Sequence, residues 1–574
     1  MSHPPLKKTW QTPIQPVSDL VQQLFLNRGL KRDQDQEEFL SPTRPESLSE
    51  EFCRKNHEFK IQLGKAATAV KKAKADGRTI LIYGDFDVDG LAATAILFET
   101  IYYSLGYKNV RPYIPNRFTQ GYGLSPESLK DIAEKNHVSA GAGKIINPSL
   151  LLLTVDCGIT SFPVIKPARS LGIEVVVTDH HRPPSAAEIK KLKNRCPAVV
   201  WTDKLCGAGI AWFLARALGV KGGSGLDLAA LATVADLQML LGVNRSLVKY
   251  GLEEINRTKR SGLKSLIEVA GLKDKKIGTY EVGWLLAPRL NAAGRLNTAL
   301  DALRLLCARN QRQAKGFAEQ LDKMNKDRQE ILSVSLKHAV GCVTSKENRK
   351  IIIVAHESYH EGIVGLVAGK LVQEFYRPAL VIAKGEVDSR GSARSVAGVD
   401  IIGLLRQVDH LFNSVGGHPM AAGFSLKTEM IDRLERELTV LAREKISDDH
   451  LKPILKIEAE IKLSVINLDL WQKLQEFEPF GLGNPEPLFL CSKVGVLGTR
   501  TIGREQNHLR LQLADPEVSS NQIRDGIYFN GVESAGKLLP GDLVDLVFSL
   551  SENVWQDRRN LEIKIKDLRK SSRP

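Results

Sequence analysis

Three acidic residues with a spacing of two lie in the stretch YGDFDVDG, residues 83–90. Alternate side chains of an extended backbone project to one side, so Asp85, Asp87 and Asp89 would bring three carboxylates together. Such a group is unfavourable unless a cation neutralises it. Carboxylate oxygens at this density suit Mg²⁺ or Mn²⁺. The spacing therefore predicts a site for divalent metal ions.

Two other interpretations of this stretch stay open at the level of the motif. The pattern D-x-D-x-D-G also begins an EF-hand calcium loop, which needs Glu at its twelfth position. Counted from Asp85, that position is Ile96, and a strand-like apolar run precedes the motif where an EF-hand has a helix. A solvated acidic loop is the second alternative, and the rest of the chain argues against it.

Alternating strands and helices are predicted around the motif. Apolar runs at 80–83, 150–155 and 173–177 are separated by helical stretches, which is typical of a parallel α/β sheet. The second run ends at Asp156 and the third at His180 and His181. Ligands of such sheets bind beyond the carboxyl ends of the strands, so we expect these residues and the three aspartates to form one site.

Asp236 is a further acidic residue in an apolar context, because it follows the helix-like stretch 226–235. A buried carboxylate is costly unless it is paired or binds a metal ion. The alternative is a helix cap, a position at which Asp is favoured. The sequence alone leaves both interpretations open.

Composition limits the class of protein. The chain has 574 residues, enough for several domains, and its net charge of +14 suggests a polyanionic partner, although solubility alone would also explain it. The seven cysteines form no C-x-x-C pair and are expected to be reduced thiols. The N-terminus lacks the apolar segment of a signal peptide, and no apolar run is long enough to span a membrane. We therefore expect a soluble cytoplasmic protein.

Beyond the first α/β region, the pattern predicts a connecting helix and a second α/β unit. Residues 311–340 have helical periodicity with an apolar stripe, and a strand follows at 351–355. That strand leads to H-E-S-Y-H at 356–360, which resembles a zinc-protease motif but lies at a strand end rather than within a helix. Glycine-rich turns at 391–395 and 416–423 could wrap a phosphate through backbone amides, or serve only as packing turns.

Period-2 alternation from about residue 453 predicts a small all-β barrel. The runs lie at 457–463, 509–513, 543–548 and 561–565. Lys564 and Lys566 alternate with apolar residues in the last run, and a basic tail follows. This pattern is compatible with a surface for single-stranded nucleic acid, or with a charged edge strand that resists aggregation.

The ordered set of motifs resembles the RecJ family, single-strand-specific 5′→3′ exonucleases of the DHH phosphoesterase superfamily. The resemblance extends from about residue 60 to the C-terminus. It rests on motifs that occur in this order: Y-G-D-F-D-V-D-G, P-N-R with G-Y-G-L, D-C-G, D-H-H, L-C-G-A-G, A-D-L, R-L-N-A-A-G-R, G-S-A-R-S, G-G-H-P-M-A-A-G and P-F-G-L-G-N-P-E-P.

The fold that this resemblance implies has two α/β lobes, a DHH domain and a DHH-associated (DHHA1) domain, joined by a long helix and followed by an all-β OB-fold. The domains predicted in this way are an N-terminal cap on the next domain at 1–60, a catalytic domain at 61–250, a helical connector at 251–345, a DHHA1 domain at 346–450 and an OB-fold at 451–574.

Site residues follow from the resemblance, motif by motif. The implied ligands of two Mn²⁺ or Mg²⁺ ions are Asp85, Asp87, Asp89, Asp156, His180 and Asp236, with Asp156 shared by both ions. His181 is expected to face the scissile phosphate, and the catalytic residues are Asp87, Asp89, Asp156, His180 and His181. The implied contacts to phosphate or nucleic acid are Arg117, Arg289 or Arg295, Ser392, Arg394 and His418. We also expect bases to stack on Phe118 or Tyr122.

The sequence departs from the family pattern in four places. Tyr359 replaces a common Trp, 200–203 lacks the usual Asn-Pro, 237–240 lacks its Pro, and 141–148 resembles a small insertion. None of these changes removes an implied ligand, so the departures affect loop conformation and the substrate path rather than the chemistry.

The function implied is two-metal hydrolysis of phosphodiester bonds in single-stranded DNA, from the 5′ end, in DNA recombination and repair. We expect a monomer with no membrane association, and a helicase and a single-stranded-DNA-binding protein as partners. One alternative is a DHH phosphoesterase for short oligonucleotides or cyclic dinucleotides, for which a C-terminal barrel would be superfluous. The other is a non-catalytic replisome scaffold, for which lost ligands would be expected.

Overall fold

The fold is described from a computed structural model. It describes residues 6, 8–13, 17–117, 119–121, 123–136, 149–222, 224–344, 349–516, 523–555 and 558–571. The chain forms two compact units. The first unit comprises residues 37–328 and 478–485, and the second comprises 1–36, 329–477 and 486–574. Among the described helices, none combines the length and apolar character that crossing a membrane requires.

Strands and helices are numbered in chain order. The strands are β1 (Thr9–Gln11), β2 (Thr79–Gly84), β3 (Val110–Tyr113), β4 (Leu150–Val155), β5 (Ile173–Asp179), β6 (Val199–Trp201), β7 (Ile352–His356), β8 (Ala379–Ala383), β9 (Asp388–Arg394), β10 (Ser414–His418), β11 (Ala421–Lys427), β12 (Ile454–Lys456), β13 (Ala459–Glu460), β14 (Phe489–Ile502), β15 (His508–Ala514), β16 (Arg524–Tyr528), β17 (Leu543–Trp555) and β18 (Arg558–Lys570). The α-helices are α1 (Leu20–Asn27), α2 (Asp33–Leu40), α3 (Pro45–Lys55), α4 (His57–Ala75), α5 (Val88–Glu99), α6 (Pro126–Lys135), α7 (Phe162–Ala168), α8 (Ala186–Lys193), α9 (Gly207–Ala217), α10 (Leu226–Ala235), α11 (Gly242–Asn256), α12 (Ser261–Val269), α13 (Ala287–Leu296), α14 (Leu300–Cys307), α15 (Gln311–Thr344), α16 (Val364–Phe375), α17 (Ile401–Arg406), α18 (Ile431–Lys445), α19 (Leu468–Glu476) and α20 (Val532–Ala535).

The first unit is built on a five-stranded parallel sheet with the order β3-β2-β4-β5-β6. Strand β2 lies inside the sheet, and both of its faces are covered. Ile80 and Ile82 belong to one apolar cluster, while Leu81 and Tyr83 belong to another on the opposite face. Burial on both faces explains why these strands appear in the sequence as continuous apolar runs rather than as alternating patterns.

The predicted connecting helix is α15, which begins in the first unit and ends in the second. Its apolar stripe serves packing, because Leu321 is fully buried in the core of the first unit and Phe317 and Met324 pack against that core. A single helix of 34 residues therefore links the two α/β sheets in the chain. The prediction of two α/β lobes joined by a long helix is confirmed.

The second unit contains a mixed sheet with the order β10-β11-β9-β8-β7. Strands β7 and β8 are parallel, whereas β8, β9, β11 and β10 pair antiparallel in that order. One face packs on α17 and α18, with Leu380, Ile382 and Leu405 in the buried cluster. Strand β9 lies in the middle of this sheet and carries the motif G-S-A-R.

The C-terminal strands form a closed barrel. Strands β14, β15, β16, β18 and β17 are hydrogen-bonded in that order, and pairing of β17 with β14 closes the circle. Register shifts between Cys491 and Val494 and between Val496 and Gly498 let the long strand β14 contact both neighbours. The barrel confirms the predicted OB-fold. The predicted run at 457–463 differs, because only β13, Ala459–Glu460, forms a strand there.

Residues 9–13 and 17–36 belong to the second unit, whereas residues 37–60, the rest of the predicted N-terminal cap, belong to the first unit. Strand β1 pairs in parallel with β12, and Trp10 donates from Nε1 to Asp567 in β18 at 2.7 Å. Helix α1 places Phe25 against Phe477, with ring centroids 4.9 Å apart. Contacts with residues more than 400 positions away decide this placement, and local sequence patterns carry no such information.

Candidate metal centre

The three aspartates of the first motif lie where β2 ends and α5 begins. Asp87 is the N-cap of α5 and accepts hydrogen bonds from the amides of Asp89 and Gly90, at 3.0 and 3.1 Å. A Cβ atom on Gly90 would lie 2.5 Å from the backbone nitrogen of Asp85, so only glycine fits there. The motif thus folds as a tight strand-to-helix turn. A strand precedes it, which distinguishes it from an EF-hand.

The carboxylate of Asp89 is anchored by the start of α9. Its two oxygens accept hydrogen bonds from the amides of Gly207 and Ala208, at 2.6 and 2.7 Å. A Cβ atom on Gly207 would lie 2.6 Å from Cβ of Asp156. The motif L-C-G-A-G therefore orients one aspartate and leaves room for another. Sequence reasoning assigned it no role, and its glycines next to an apolar helix were the only local signal.

Asp156 follows β4 with a left-handed backbone, φ +60°, and is almost fully buried. Its Oδ1 lies 3.0 Å from Nε2 of His180, which follows β5. Both atoms are buried, yet neither has a hydrogen-bond partner among the described residues. Two buried polar atoms this close without hydrogen-bond geometry are expected of ligands that point at a common cation, because such atoms are otherwise paired. The donor set therefore fits a metal ion.

Asp179, the last residue of β5, holds His181 in place. Its Oδ1 lies 2.8 Å from Nδ1 of His181 and accepts the amides of His180 and His181, while Oδ2 accepts the amide of Ile159. This arrangement assigns the Nδ1 proton of His181 to the bond with Asp179. Sequence reasoning did not give Asp179 a role, although it is the first residue of D-H-H.

Asp236 is the C-cap residue of α10, so it does occupy a helix cap, and its side chain also belongs to the acidic cluster. Its Oδ2 lies 3.8 Å from Nε2 of His180 and accepts a hydrogen bond from Nε2 of Gln238 at 2.7 Å. Nε2 of Gln238 also lies 3.5 Å from Nδ1 of His180. Gln238, which the sequence did not single out, therefore contacts two members of the cluster.

The carboxylate and imidazole groups converge at the carboxyl ends of β2, β4 and β5. Groups whose ligand atoms lie within 4.8 Å of one another are Asp85, Asp87 and Asp156; Asp156, His180 and His181; and Asp89, His180 and Asp236. Asp156 and His180 each belong to two of these groups. The geometry can thus hold more than one ion, with Asp156 between two positions.

The titration behaviour of the cluster reflects buried like charges. Burial, and then the charge of Asp87, raises the pKa of Asp85 well above its usual value. Burial and the neighbouring aspartates, first Asp89, do the same to the pKa of Asp156, and they raise the pKa of Asp236 to about 8. Burial also lowers the pKa of His180. A divalent cation would relieve this repulsion.

The pKa of His181 moves in the opposite direction from that of His180. Burial lowers it, but the hydrogen bond and charge of Asp179 outweigh burial and raise it to about 9. For Asp179 the signs are reversed: burial raises the pKa of the carboxyl, but the hydrogen bonds from His181 and the backbone amides outweigh burial and hold the pKa below its usual value. The two residues therefore form a charge-assisted pair beside the acidic cluster.

Basic residues of the first unit differ in their surroundings. The guanidinium of Arg117 lies 5.1 Å from the ring centroid of Phe86, and its charge acts on the carboxylate of Asp85. Arg289 donates from Nε to Asp322 at 2.9 Å, so its charge is already paired with an acid on α15. Arg295 lies half-buried on the same helix, α13. Both arginines therefore stay predicted phosphate contacts.

Ser392, Arg394 and His418 lie in the mixed sheet of the second unit. Nη1 of Arg394 donates to Oγ of Ser392 at 2.9 Å, and both side chains are half-buried. A Cβ atom on Gly365, in the first turn of α16, would lie 3.1 Å from both groups. His418 is exposed at the end of β10. A helix N-terminus beside an arginine and a hydroxyl is suited to an anion.

Other predicted features have different outcomes. His356 ends β7 and His360 lies in the turn before α16, so H-E-S-Y-H does not lie within a helix as a zinc-protease motif does. Tyr359 is buried and lies 2.8 Å from Nδ1 of His338. Phe118, Tyr122 and the insertion at 141–148 lie outside the described residues.

Comparison with known proteins supports one family along the chain. Family models match residues 79–240 (DHH family, N-terminal domain), 348–444 (DHHA1 domain) and 457–567 (RecJ OB domain). The single-stranded-DNA-specific exonuclease RecJ of Escherichia coli is 31% identical over 583 residues, which cover 96% of this chain and 95% of that protein. The protein of the same name from Bacillus subtilis is 32% identical over 558 residues, covering 96% of this chain and 68% of the relative.

Solved structures agree with the sequence comparisons. The crystal structure of Thermus thermophilus RecJ in complex with Mn²⁺ has a TM-score of 0.79 and 28% identity, covering 98% of this chain and 80% of that one. The Mg²⁺ complex of the same protein has a TM-score of 0.73 and 26% identity, with 98% and 79% covered. Both sequence and structure lead to the same conclusion: the chain belongs to the RecJ family.

Proposed function

We propose that this protein is a metal-dependent exonuclease that removes nucleotides from the 5′ end of single-stranded DNA. The observation that carries the proposal is the convergence of Asp156 and His180 with the other aspartates at one edge of the parallel sheet. Relatives that match nearly the whole chain are named single-stranded-DNA-specific exonucleases, and a similar structure contains Mn²⁺. One line of support is geometric and the other rests on descent.

The proposed ligands of two Mn²⁺ or Mg²⁺ ions are Asp85, Asp87, Asp89, Asp156, His180 and Asp236. Bound divalent ions supply Lewis-acid activation of water and neutralise charge on the phosphate. The protein orients the ligands: backbone amides of α9 fix Asp89, and Gln238 fixes Asp236. Asp156, which has neighbours on both sides, is the proposed shared ligand.

His181 is the proposed acid at the scissile phosphate. Asp179 holds its Nδ1, so Nε2 would face the substrate and donate a proton to the leaving oxygen. The raised pKa keeps the ring protonated near neutral pH in the metal-free protein. The buried carboxylate of Asp179 thus orients the ring and, with the charges of Asp85 and Asp236, favours its protonated form.

Polarity is proposed to come from anion contacts at the 5′ end. Ser392 and Arg394, next to the first turn of α16, are arranged to bind a terminal phosphate, with His418 as a further contact. Arg117, together with Arg289 or Arg295, supplies the proposed phosphate contacts of the first unit. Single-strand specificity is part of the same proposal, and the closed barrel is a candidate platform for the strand.

Domain limits and biological setting belong to the proposal as well. The family-model matches at 79–240, 348–444 and 457–567 each lie within one predicted domain, at 61–250, 346–450 and 451–574, and so support those limits. Family membership supports a role in DNA recombination and repair with a helicase and a single-stranded-DNA-binding protein. Cytoplasmic location and a monomeric state stay predictions.

The test is hydrolysis of single-stranded DNA labelled at either end, with a blunt duplex as control, in Mn²⁺ or Mg²⁺. We expect mononucleotides to be released from the 5′ end of the single strand only. Cleavage confined to very short oligomers would indicate a small-substrate phosphoesterase. Tight binding without cleavage in either metal would indicate a scaffold, and both of these results would contradict the proposal.

A further inference from the structure

Several large apolar side chains of the first unit are exposed, and two of them flank Gln238, which is hydrogen-bonded to Asp236. Leu237, Met239, Tyr280, Trp284 and Leu482 are between 52% and 73% exposed. We call these residues the apolar strip. The other exposed large apolar side chains described in this unit, Ile61 and Tyr103, lie in different elements. Exposed apolar surface that is concentrated in one region usually marks a binding site.

The strip is one surface because the loop at 478–485 connects its parts. The amide of Leu240 donates to the carbonyl of Leu482 at 2.7 Å, and a Cβ atom on Gly483 would lie 3.3 Å from Cε of Met239. On the other side, Oγ1 of Thr279 donates to the carbonyl of Phe480 at 2.7 Å. The loop, which carries the motif P-F-G-L-G-N-P, therefore lies between Met239 and the Tyr280–Trp284 segment.

The conformation of Leu237 indicates that its exposure serves a purpose. Its backbone is left-handed, with φ +57°, and its side chain is 73% exposed. A left-handed leucine costs free energy, and an exposed side chain recovers none of it through burial. Such strain is characteristic of functional sites, provided that the surrounding structure maintains it.

The strip is continuous with the metal centre through the chain itself. Leu237 directly follows Asp236, and Gln238 between Leu237 and Met239 donates to Oδ2 of Asp236 at 2.7 Å. A phosphate bound at the metal centre would carry its sugar and base onto the neighbouring surface. Tyr280 and Trp284 extend this surface with two rings whose centroids are 6.3 Å apart and whose planes differ by 29°.

We propose that the apolar strip receives the nucleobases of single-stranded DNA whose backbone is held at the metal centre. The inference rests on the proposed function and adds a subsite to it. Leu237, Met239 and Leu482 would pack against bases near the reacting phosphate, and Tyr280 and Trp284 would stack on a base further along the strand. Apolar and aromatic contacts of this kind accept any base, as a nuclease without sequence preference requires.

The test compares DNA with and without bases. The variants are Leu482→Ser and Trp284→Ala, neither of which alters a proposed metal ligand. The matched control is Leu468→Ser, a leucine of similar exposure, 52%, in the second unit. The probes are 5′-phosphorylated oligonucleotides with phosphorothioate linkages, either with all bases or with consecutive abasic sites at the 5′ end. Affinity is measured by fluorescence anisotropy in Mn²⁺, and a gel verifies that the DNA remains intact.

We expect each variant to bind the complete oligonucleotide about five- to tenfold more weakly than the wild type, the order expected for loss of one base contact. The abasic oligonucleotide should bind weakly and equally to wild type and variants, because the contact is already missing. Leu468→Ser should match the wild type with both probes. Thermal unfolding should be unchanged in all variants, because the altered side chains are exposed.

Failure of the proposed function and failure of the apolar strip as a base-binding surface would give different results. A wild-type protein that neither binds nor hydrolyses single-stranded DNA would contradict the proposed function. A wild type that hydrolyses it, with variants that bind both probes as the wild type does, would overturn the apolar strip as a base-binding surface and assign it to a protein partner. An equal loss of affinity for both probes would also overturn it, since the effect would then not involve bases.

Discussion

The metal centre of the first unit and the anion site of the second differ in how the fold prepares them for charge. In the first, buried carboxylates lie so close together that the pKa of Asp156 is raised well above its usual value. In the second, Arg394 and Ser392 are half-buried and satisfy each other by a hydrogen bond. The first arrangement is unfavourable in its charged form unless a cation neutralises it, whereas the second is stable by itself and suited to an anion.

Because of this difference, we expect the metal centre to be required for the chemistry and the anion site to contribute affinity and selectivity. A site that is unfavourable without its ion should lose all chemistry when a ligand is removed, because the remaining ligands cannot hold the ion in place. A site that is stable alone should only lose affinity and selectivity when one partner is removed.

Removal of Asp156 should have the largest effect. We expect Asp156→Ala to lower the rate of nucleotide release by about 10³-fold or more, because several kcal/mol of charge stabilisation are lost. Affinity for single-stranded DNA should be retained, since the anion site and the barrel are unchanged. Release from 5′-labelled DNA and anisotropy are the measurements. Asp203→Ala, an exposed aspartate of the same unit, is the control. Near-normal turnover of Asp156→Ala would contradict the assignment of Asp156 as a metal ligand.

Loss of the charge that orients His181 should have the next largest effect. We expect Asp179→Asn to lower kcat by roughly 10²-fold with little change in KM, because the acid loses its protonated form and its orientation. The wild-type carboxylate raises the pKa of His181 to about 9, so its removal should move the titration of this ring to lower pH. NMR of the imidazole in the metal-free protein reports that titration. An unshifted titration would show that Asp179 has only a structural role.

The anion site should affect selectivity rather than chemistry. We expect Arg394→Ala to reduce the preference for a 5′-phosphate over a 5′-hydroxyl by about tenfold, the order of one charge-assisted bond. The comparison is kcat/KM for the two substrates. Arg390→Ala is a matched control, because Arg390 lies on the same strand but pairs with Glu361 at 2.9 Å. If Arg390→Ala and Arg394→Ala behaved alike, β9 would not bind the terminal phosphate.

Metal binding should give the smallest effect, a change in stability. At a free Mn²⁺ concentration of 100 times Kd, one bound ion stabilises the folded state by about 2.7 kcal/mol, which corresponds to a few degrees in Tm. Differential scanning calorimetry with Mn²⁺ and then with a chelator measures this shift. Arg394→Ala should keep the shift and Asp156→Ala should lose most of it. A shift that survives in Asp156→Ala would place the stabilising ion elsewhere.

Local patterns in the sequence carried much of the fold. The apolar runs at 80–83, 150–155 and 173–177 correspond to β2, β4 and β5, because strands buried on both faces must be apolar throughout. The apolar stripe of α15 and the period-2 alternation in β15, β17 and β18 likewise predicted these elements. Strand β14 was missed, since its bulges and its three glycine and serine positions interrupt the alternation that identifies a strand.

Contacts between distant segments could not be predicted from the sequence. The partner of Arg289 is Asp322 on α15, and no spacing rule connects the two residues. The segment at 478–485 packs with the first unit although the chain on either side of it belongs to the second. Strand β1 pairs with β12, although more than 400 residues separate them in the sequence. Each of these placements depends on tertiary packing, whose determinants are spread over several hundred residues.

The amino-acid sequence was sufficient to predict which chemistry is available: carboxylates and imidazoles at the ends of parallel strands, and an arginine with a serine on a later strand. How those groups are held depends on the folded protein. It alone showed that α9 amides bind Asp89, that Asp179 orients His181, and that Asp156 adopts a left-handed backbone beside His180. The physical reason is that side-chain identity is local, whereas burial, hydrogen-bond partners and strain arise only when distant segments pack together.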